Sequence, residues 1–188
     1  MRITAGIHRG RSLTSPQGSD TRPTSDRARE SIFNILRHGR WHEGVLEEAM
    51  VLDVFAGTGA LGLEALSQGA RHAAFIEKNP AAARVCQDNI DMLGETARSL
   101  VLKFDAVSPV PRPSSLEPRS LVFLDPPYGK NMGAEALKAL ADKGWLQKRA
   151  VCVLEMSKKN PETIPAGFTA VDERLYGIAR VQFLVWEG

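Results

Sequence analysis

The sequence contains only two cysteines among its 188 residues, and no apolar run approaches the roughly 18 residues that cross a bilayer. Cys86 and Cys152 lie inside apolar segments without metal-ligand spacing, so neither a disulfide framework nor a zinc module is expected. They read as reduced core residues of a cytoplasmic protein. The N-terminal Met1-Arg-Ile-Thr-Ala-Gly6 lacks the apolar core of a secretory signal. Internal repeats and low-complexity tracts are also missing, which argues against a repeat array. His8, His38, His42 and His72 have no ligand spacing. They are read as surface residues, and no metal is expected.

The sequence does have enough apolar residues, 43%, for one well-buried domain. Its net charge of +2 conceals an asymmetry. Residues 1–40 hold eight arginines against three acids, a net of +5. Residues 41–188 hold the other 16 basic residues against 19 acids, a net of −3. A basic extension over 1–40 therefore precedes a mildly acidic body over 41–188, a distribution that suits a polyanionic partner or a solvated face.

Residues 1–13 alternate loosely and predict one or two short strands, with Arg2, His8, Arg9 and Arg11 around the turn. A loop follows over 14–23. Thr24 or Ser25 can cap a helix running to about Arg37, with Ala28, Ile32, Ile35 and Leu36 on its buried stripe. Strand and helix signals then alternate. Strands are expected at Met50–Phe55, Ala73–Ile76, Leu100–Phe104, Leu121–Leu124 and Ala150–Glu155. Helices are expected at Ala60–Ser67, Pro80–Leu93 and Ala134–Lys143. A closing hairpin covers Phe168–Tyr176 and Ala179–Trp186, and 108–118 is a Pro-rich surface loop. This order implies an α/β fold with a doubly wound, mostly parallel sheet of seven strands, extended at the N-terminus by a small basic β-hairpin and helix.

The first strand runs into Ala56-Gly57-Thr58-Gly59-Ala60-Leu61-Gly62, whose glycines allow a tight turn and close ligand approach. Glu77 ends the second strand 20 residues after Gly57, where a carboxylate can grip a ribose diol. A nicotinamide cofactor and S-adenosylmethionine both fit this far. Asp53, beneath the loop, would oppose a pyrophosphate in a low-dielectric crevice but suits an ammonium and a sulfonium. Asp105, followed by Ala106, can accept from an adenine amine while a backbone N–H meets a ring nitrogen. Asp53, Glu77, Asp105 and Asp125 thus flank the ends of four strands at one sheet edge.

The stretch Leu121-Val-Phe-Leu-Asp-Pro-Pro-Tyr-Gly-Lys130 carries the remaining chemistry. Pro126 and Pro127 stiffen the chain and remove two backbone donors. Asp125, the free carbonyls and the ring of Tyr128 together suit a planar group bearing an exocyclic amine, such as a nucleobase.

These residues resemble the class I S-adenosylmethionine-dependent methyltransferases, and more closely the RsmD-type enzymes that methylate a guanine N2 amine in small-subunit (16S) ribosomal RNA. The resemblance rests on Thr21-Arg-Pro-Thr-Ser-Asp-Arg-Ala-Arg-Glu-Ser-Ile-Phe-Asn-Ile-Leu36, Val51-Leu-Asp-Val-Phe-Ala-Gly-Thr-Gly-Ala-Leu-Gly-Leu-Glu-Ala-Leu66, Phe75-Ile-Glu-Lys-Asn79, Asp105-Ala106 and Leu124-Asp-Pro-Pro-Tyr-Gly-Lys130. It implies a Rossmann-like fold that holds S-adenosyl-L-methionine through Asp53, Phe55, Ala56, Gly57, Thr58, Gly59, Glu77, Lys78, Asp105 and Ala106. It implies ribosomal RNA as partner, free or within the small subunit, met by Arg2, His8, Arg9, Arg11, Arg22 and Lys130. The segment from Arg22 to Asp26 is expected to close over the cofactor, and the chain is expected to be a monomer without membrane or metal. Asp125, Pro126, Pro127 and Tyr128 form the expected catalytic element. The same element resembles that of DNA adenine-N6 methyltransferases. An adenine-N6 methyltransferase of DNA or RNA, a nicotinamide-dependent oxidoreductase and a non-catalytic RNA-binding module are the alternatives.

Overall fold

Parallel strands covered on both faces need apolar side chains at every position, and the runs at 51–54, 73–76 and 121–124 supply them. In the computed structural model, which describes residues 1–15, 26–39 and 44–188, these runs are the centre of a seven-stranded sheet. Its strands are β1 (Met50–Val54), β2 (His72–Ile76), β3 (Ser99–Leu102), β4 (Arg119–Leu124), β5 (Leu146–Ser157), β6 (Phe168–Tyr176) and β7 (Ala179–Trp186). Their order is β3-β2-β1-β4-β5-β7-β6. The first five pair in parallel and β7 runs antiparallel to both β5 and β6. The order reverses direction between β1 and β4, which opens the crevice where ligands of such sheets bind.

The helices are α1 (Asp26–His38), α2 (Ala60–Ser67), α3 (Pro80–Leu93) and α4 (Met132–Asp142). Helix α3 starts at Pro80 because Asn79 caps it, accepting from the N–H groups of Ala81 (2.9 Å) and Ala82 (3.1 Å). It stops at Gly94, which takes the left-handed conformation (φ 74°). Val51, Phe75, Phe123 and Val153 face one side of the sheet, against α1, α2 and α3. Leu52, Ile76, Val122 and Leu154 face the other, against α4 and Trp145. Phe33 of α1 meets Phe123 at a centroid distance of 5.4 Å.

Several expectations differ in detail: β3 ends at Leu102 rather than Phe104, β4 begins at Arg119 rather than Leu121, and α4 covers Met132–Asp142 rather than Ala134–Lys143. Strand β5 begins at Leu146 rather than Ala150, because Leu146 pairs with Arg119 across a bulge before the apolar run resumes at Val151. Its first residues, Gln147, Lys148 and Arg149, are exposed and carry no apolar signal. The N-terminal hairpin shrinks to a single bridge between Arg2 and Ser12, since residues 4–8 bond to α2 instead. The Pro-rich loop is tied down, with Trp145 Nε1 donating to the Val110 carbonyl (2.8 Å) and Arg112 Nε to that of Gly144 (2.6 Å). The expected cap at Thr24 or Ser25 lies outside the described residues.

The extension is fastened to the body through buried polar groups. Glu64 of α2 is fully buried and accepts from the N–H groups of Thr4 (2.8 Å) and Ala5 (2.9 Å), Thr4 Oγ1 (2.8 Å) and Gln68 Nε2 (2.7 Å). The buried Arg29 of α1 adds its Nε at 3.3 Å and also bonds the Arg2 carbonyl. Ile3, Leu13, Ile32, Phe33 and Leu36 join the same core as β1, β2 and β4.

Candidate active site

The rim at the carboxyl ends of β1, β2 and β4 collects the acids expected there. Asp53 sits one residue inside the end of β1, with 2% of its surface exposed, and accepts from the Gly62 N–H of α2 (2.8 Å). Burial is the main cause that pushes its carboxyl up to about 8, with the charges of Asp125 and Glu77 adding to the effect. Glu77 leaves β2 and accepts from the N–H groups of Gly57 (2.9 Å) and Asn79 (2.8 Å), so it also braces the glycine loop. Asp105 lies three residues beyond β3. It accepts from Lys78 Nζ (2.8 Å) and from the Val107 N–H (3.2 Å), and the Lys78 bond holds it below the usual carboxylate range.

The loop between β1 and α2 turns through residues with positive φ. Phe55 (φ 61°) does so without being glycine, a local strain that swings the chain off the strand. A side chain on Gly59 would strike Cys86 Sγ at 2.7 Å, and one on Gly62 would strike Phe75 at 2.3 Å. A side chain on Gly57 would meet only the carbonyl of Phe55, at 3.9 Å. Gly59 and Gly62 therefore serve helix–sheet packing, and Gly57 leaves bare backbone facing the crevice. Such a crevice fits S-adenosylmethionine. The charges of Asp125 and Glu77 act on the buried Asp53, a field that a cationic ligand relieves and a pyrophosphate would worsen.

Asp125 follows β4 and is half-buried; Pro126 is buried, and Pro127, Tyr128 and Lys130 are exposed. The Tyr128 hydroxyl donates to Glu155 Oε1 at 2.6 Å, while 39% of the residue remains exposed. Burial, the Glu155 carboxylate and Asp125 all push the phenol up, so it stays a donor. Glu155 is a fifth acid on this rim that the sequence reading did not single out. Its position directly after the apolar run 150–154 is the same signal that marked Asp125, although β5 itself continues to Ser157.

Among the described residues, Lys130 alone of the expected RNA-facing set is next to this element in the chain. Met1 and the Thr14 carbonyl lie near Thr58, through the 3.7 Å contact of Met1 Sδ with Thr58 Oγ1 and through Asn89 Nδ2, which donates to both Thr14 and Thr58 (3.0 Å each). The intervening turn reaches the far end of α2, where the Ile7 N–H donates to the Ser67 carbonyl (2.9 Å). Arg9 lines a cavity there of about 540 Å³ with Arg37 and Gln68. His8 does not stand on the open surface; its Nε2 is 2.6 Å from the buried Glu95, with 17% of its side chain exposed. His72 is likewise half-buried, its Nδ1 3.3 Å from Arg119. Arg2, Arg9 and Arg11 remain exposed. Arg22, the closing segment up to Ser25, and His42 fall outside the described residues.

Comparison with known proteins agrees with this geometry. The chain is 36% identical over 178 residues to ribosomal RNA small subunit methyltransferase D of Escherichia coli K12, covering 94% of this chain and 85% of that protein. It is 32% identical over 179 residues to the protein of the same name from Haemophilus influenzae, covering 95% and 90%. Among solved structures, a candidate methyltransferase of E. coli (yhhF) superposes with a TM-score of 0.81 at 34% identity, covering 100% of this chain and 98% of that one. With residues 1–185 matched from the N-terminal extension to the last strand, the chain belongs to the family described as conserved hypothetical protein 95.

Proposed function

We propose that this protein transfers a methyl group from S-adenosylmethionine to the exocyclic N2 amine of a guanine in small-subunit ribosomal RNA. One observation carries the reading: the buried Asp53, with the charges of Glu77 and Asp125 acting on it, shares its rim with the Asp125–Tyr128 loop and suits a cation. The names of the E. coli and H. influenzae relatives support ribosomal RNA over DNA as substrate. The charges of Asp125 and Glu77 beside the buried Asp53 argue against a nicotinamide dinucleotide, whose pyrophosphate would add negative charge to them.

S-adenosylmethionine, when bound, supplies a methyl group activated by a sulfonium. Asp53 and the backbone of Phe55, Ala56, Gly57, Thr58 and Gly59 would hold its methionine part. Glu77 would take the ribose hydroxyls, and Asp105 and the Ala106 N–H would take the adenine. Lys78 would keep Asp105 in place through their 2.8 Å contact. On the other side of the crevice the reacting amine is a poor nucleophile, because its lone pair is delocalised into the purine. Asp125 and the Pro126 carbonyl accept its two hydrogens, which favours a pyramidal nitrogen and turns the lone pair towards the methyl. Tyr128 stacks on the flipped base and fixes its plane. Alignment supplies much of the acceleration, and Asp125 stabilises the positive charge that grows on nitrogen.

The division of labour follows the charge. The body from residue 41 carries the chemistry, and the extension over 1–40 meets the RNA backbone through Arg2, Arg9 and Arg11, with Lys130 beside the catalytic loop. Arg22 belongs to this set by sequence. Arg9 lies at the far end of α2, whose eight residues span roughly 12 Å. An RNA that touches both ends is a folded segment rather than a single nucleotide, which suits a ribosomal substrate. The test is Asp125→Ala, which should lower transfer to 16S rRNA by at least about a hundredfold and leave S-adenosylmethionine affinity within a few-fold. Transfer at near wild-type rate would remove Asp125 from the chemistry. Mass spectrometry of 16S rRNA nucleosides from cells with and without the gene identifies the methylated base.

A further inference from the structure

We propose that Glu155 is a positioning residue for the reaction, acting by fixing the ring of Tyr128 against the target base. The inference rests on the reading of Tyr128 as the base platform. Leu124 of β4 pairs with Leu154 of β5, so Asp125, just past the end of β4, stands level with Glu155 within β5. Glu155 itself is held on its other side, where β5 pairs Glu155 with Val181 of β7. It is therefore a buried carboxylate on an inner strand, a rigid point of the scaffold.

Tyr128 is the opposite. It sits in a turn three residues beyond Asp125, between the exposed Pro127 and Gly129 (φ 83°). The chain stays irregular up to Asn131, which takes a left-handed conformation before α4. The two prolines stiffen the main chain, but nothing in the covalent structure sets χ1 and χ2 of the tyrosine. The 2.6 Å bond from its hydroxyl to Glu155 Oε1 does so. It ties the far end of the ring to β5, while its base is tied to β4 through Asp125. A charge-assisted bond of this length is among the strong ones, and partial burial shields it from competing water. The ring is left partly exposed and oriented, which is what a stacking surface needs. Phenylalanine could stack equally well, so the hydroxyl is explained by the tether.

The experiment compares Tyr128→Phe, Glu155→Ala, Glu155→Gln, Tyr128→Ala and the double variant Tyr128→Phe/Glu155→Ala. The readouts are kcat/KM for methyl transfer to 16S rRNA, S-adenosylmethionine affinity and thermal midpoint. Tyr128→Phe and Glu155→Ala should each lower kcat/KM about tenfold, with donor affinity unchanged. The double variant should be no worse than Tyr128→Phe alone, because both remove one interaction. Glu155→Gln should recover activity to within about threefold, since its amide oxygen can still accept from the hydroxyl. Additive losses in the double variant would overturn the tether and leave Glu155 a merely stabilising residue. Wild-type activity of Tyr128→Phe would overturn it too, and this variant keeps the test open if Glu155→Ala fails to fold. If Tyr128→Ala is inactive while Tyr128→Phe is not, the platform stands and the tether falls. If Tyr128→Ala is also fully active, the platform itself is refuted.

Discussion

Asp53→Asn tests the electrostatics of the donor crevice without any substrate. The folded protein keeps the Asp53 proton up to about pH 8, whereas an unfolded aspartate releases it near pH 4. Between those limits unfolding releases a proton, so stability falls as pH rises. Each pH unit inside the window costs about 1.4 kcal/mol, tapering as the folded carboxyl begins to ionise. From about pH 6 to about pH 8 the loss attributable to Asp53 is roughly 2 kcal/mol. Asparagine keeps an oxygen for the Gly62 N–H and removes the titration. His72 acts in the opposite sense: burial first, then Arg119 and Arg71, lower its pKa, so stability rises with pH through the histidine range. Both proteins carry that histidine, and its effect cancels in the difference. Urea denaturation of the wild type and Asp53→Asn at the two pH values reads the result directly. The variant should gain about 2 kcal/mol on the wild type between them. A difference that does not change with pH, or that moves the other way, would mean that Asp53 is already ionised in the folded protein and that burial and its acidic neighbours do not hold its proton.

Other variants probe other parts of the molecule. Arg9→Ala with Arg11→Ala should weaken RNA binding and reduce the slope of log K against log salt by about 1 to 2; an unchanged slope in filter binding would take both residues off the interface. Glu64→Ala leaves Arg29 and the 4–5 backbone without their buried acceptor and should cost about 3–5 kcal/mol in urea denaturation, loosening the extension from the body. Gly62→Ala pushes a methyl to within 2.3 Å of the fully buried Phe75 and should cost about 1–3 kcal/mol by the same measurement.

Much of this protein is written in its local pattern. Strands buried on both faces must be apolar throughout, so β1, β2 and β4 announce themselves as unbroken runs, and α2, α3, β6 and β7 have the bounds that periodicity and turn residues predict. The acids at the strand ends were legible for the same reason, since a parallel sheet sends every carboxyl end to one rim. Seven strands and a mostly parallel sheet follow from the order of those signals alone.

What the chain folds against what could not be read this way. The bonds from Glu64 to Thr4 and from His8 to Glu95 join residues 60 and 87 positions apart, and no local propensity encodes a partner at that distance. An apparently free basic arm is therefore a packed segment along α2, with the ring of one expected RNA contact engaged by a buried acid. The tether from Tyr128 to Glu155 is of the same kind. Sequence supplies a tyrosine after two prolines and a glutamate at a strand end, but only the register of β4 against β5 brings the two side chains within a hydrogen bond. Composition and period specify which surfaces must be buried, and the packing of those surfaces decides which polar groups meet.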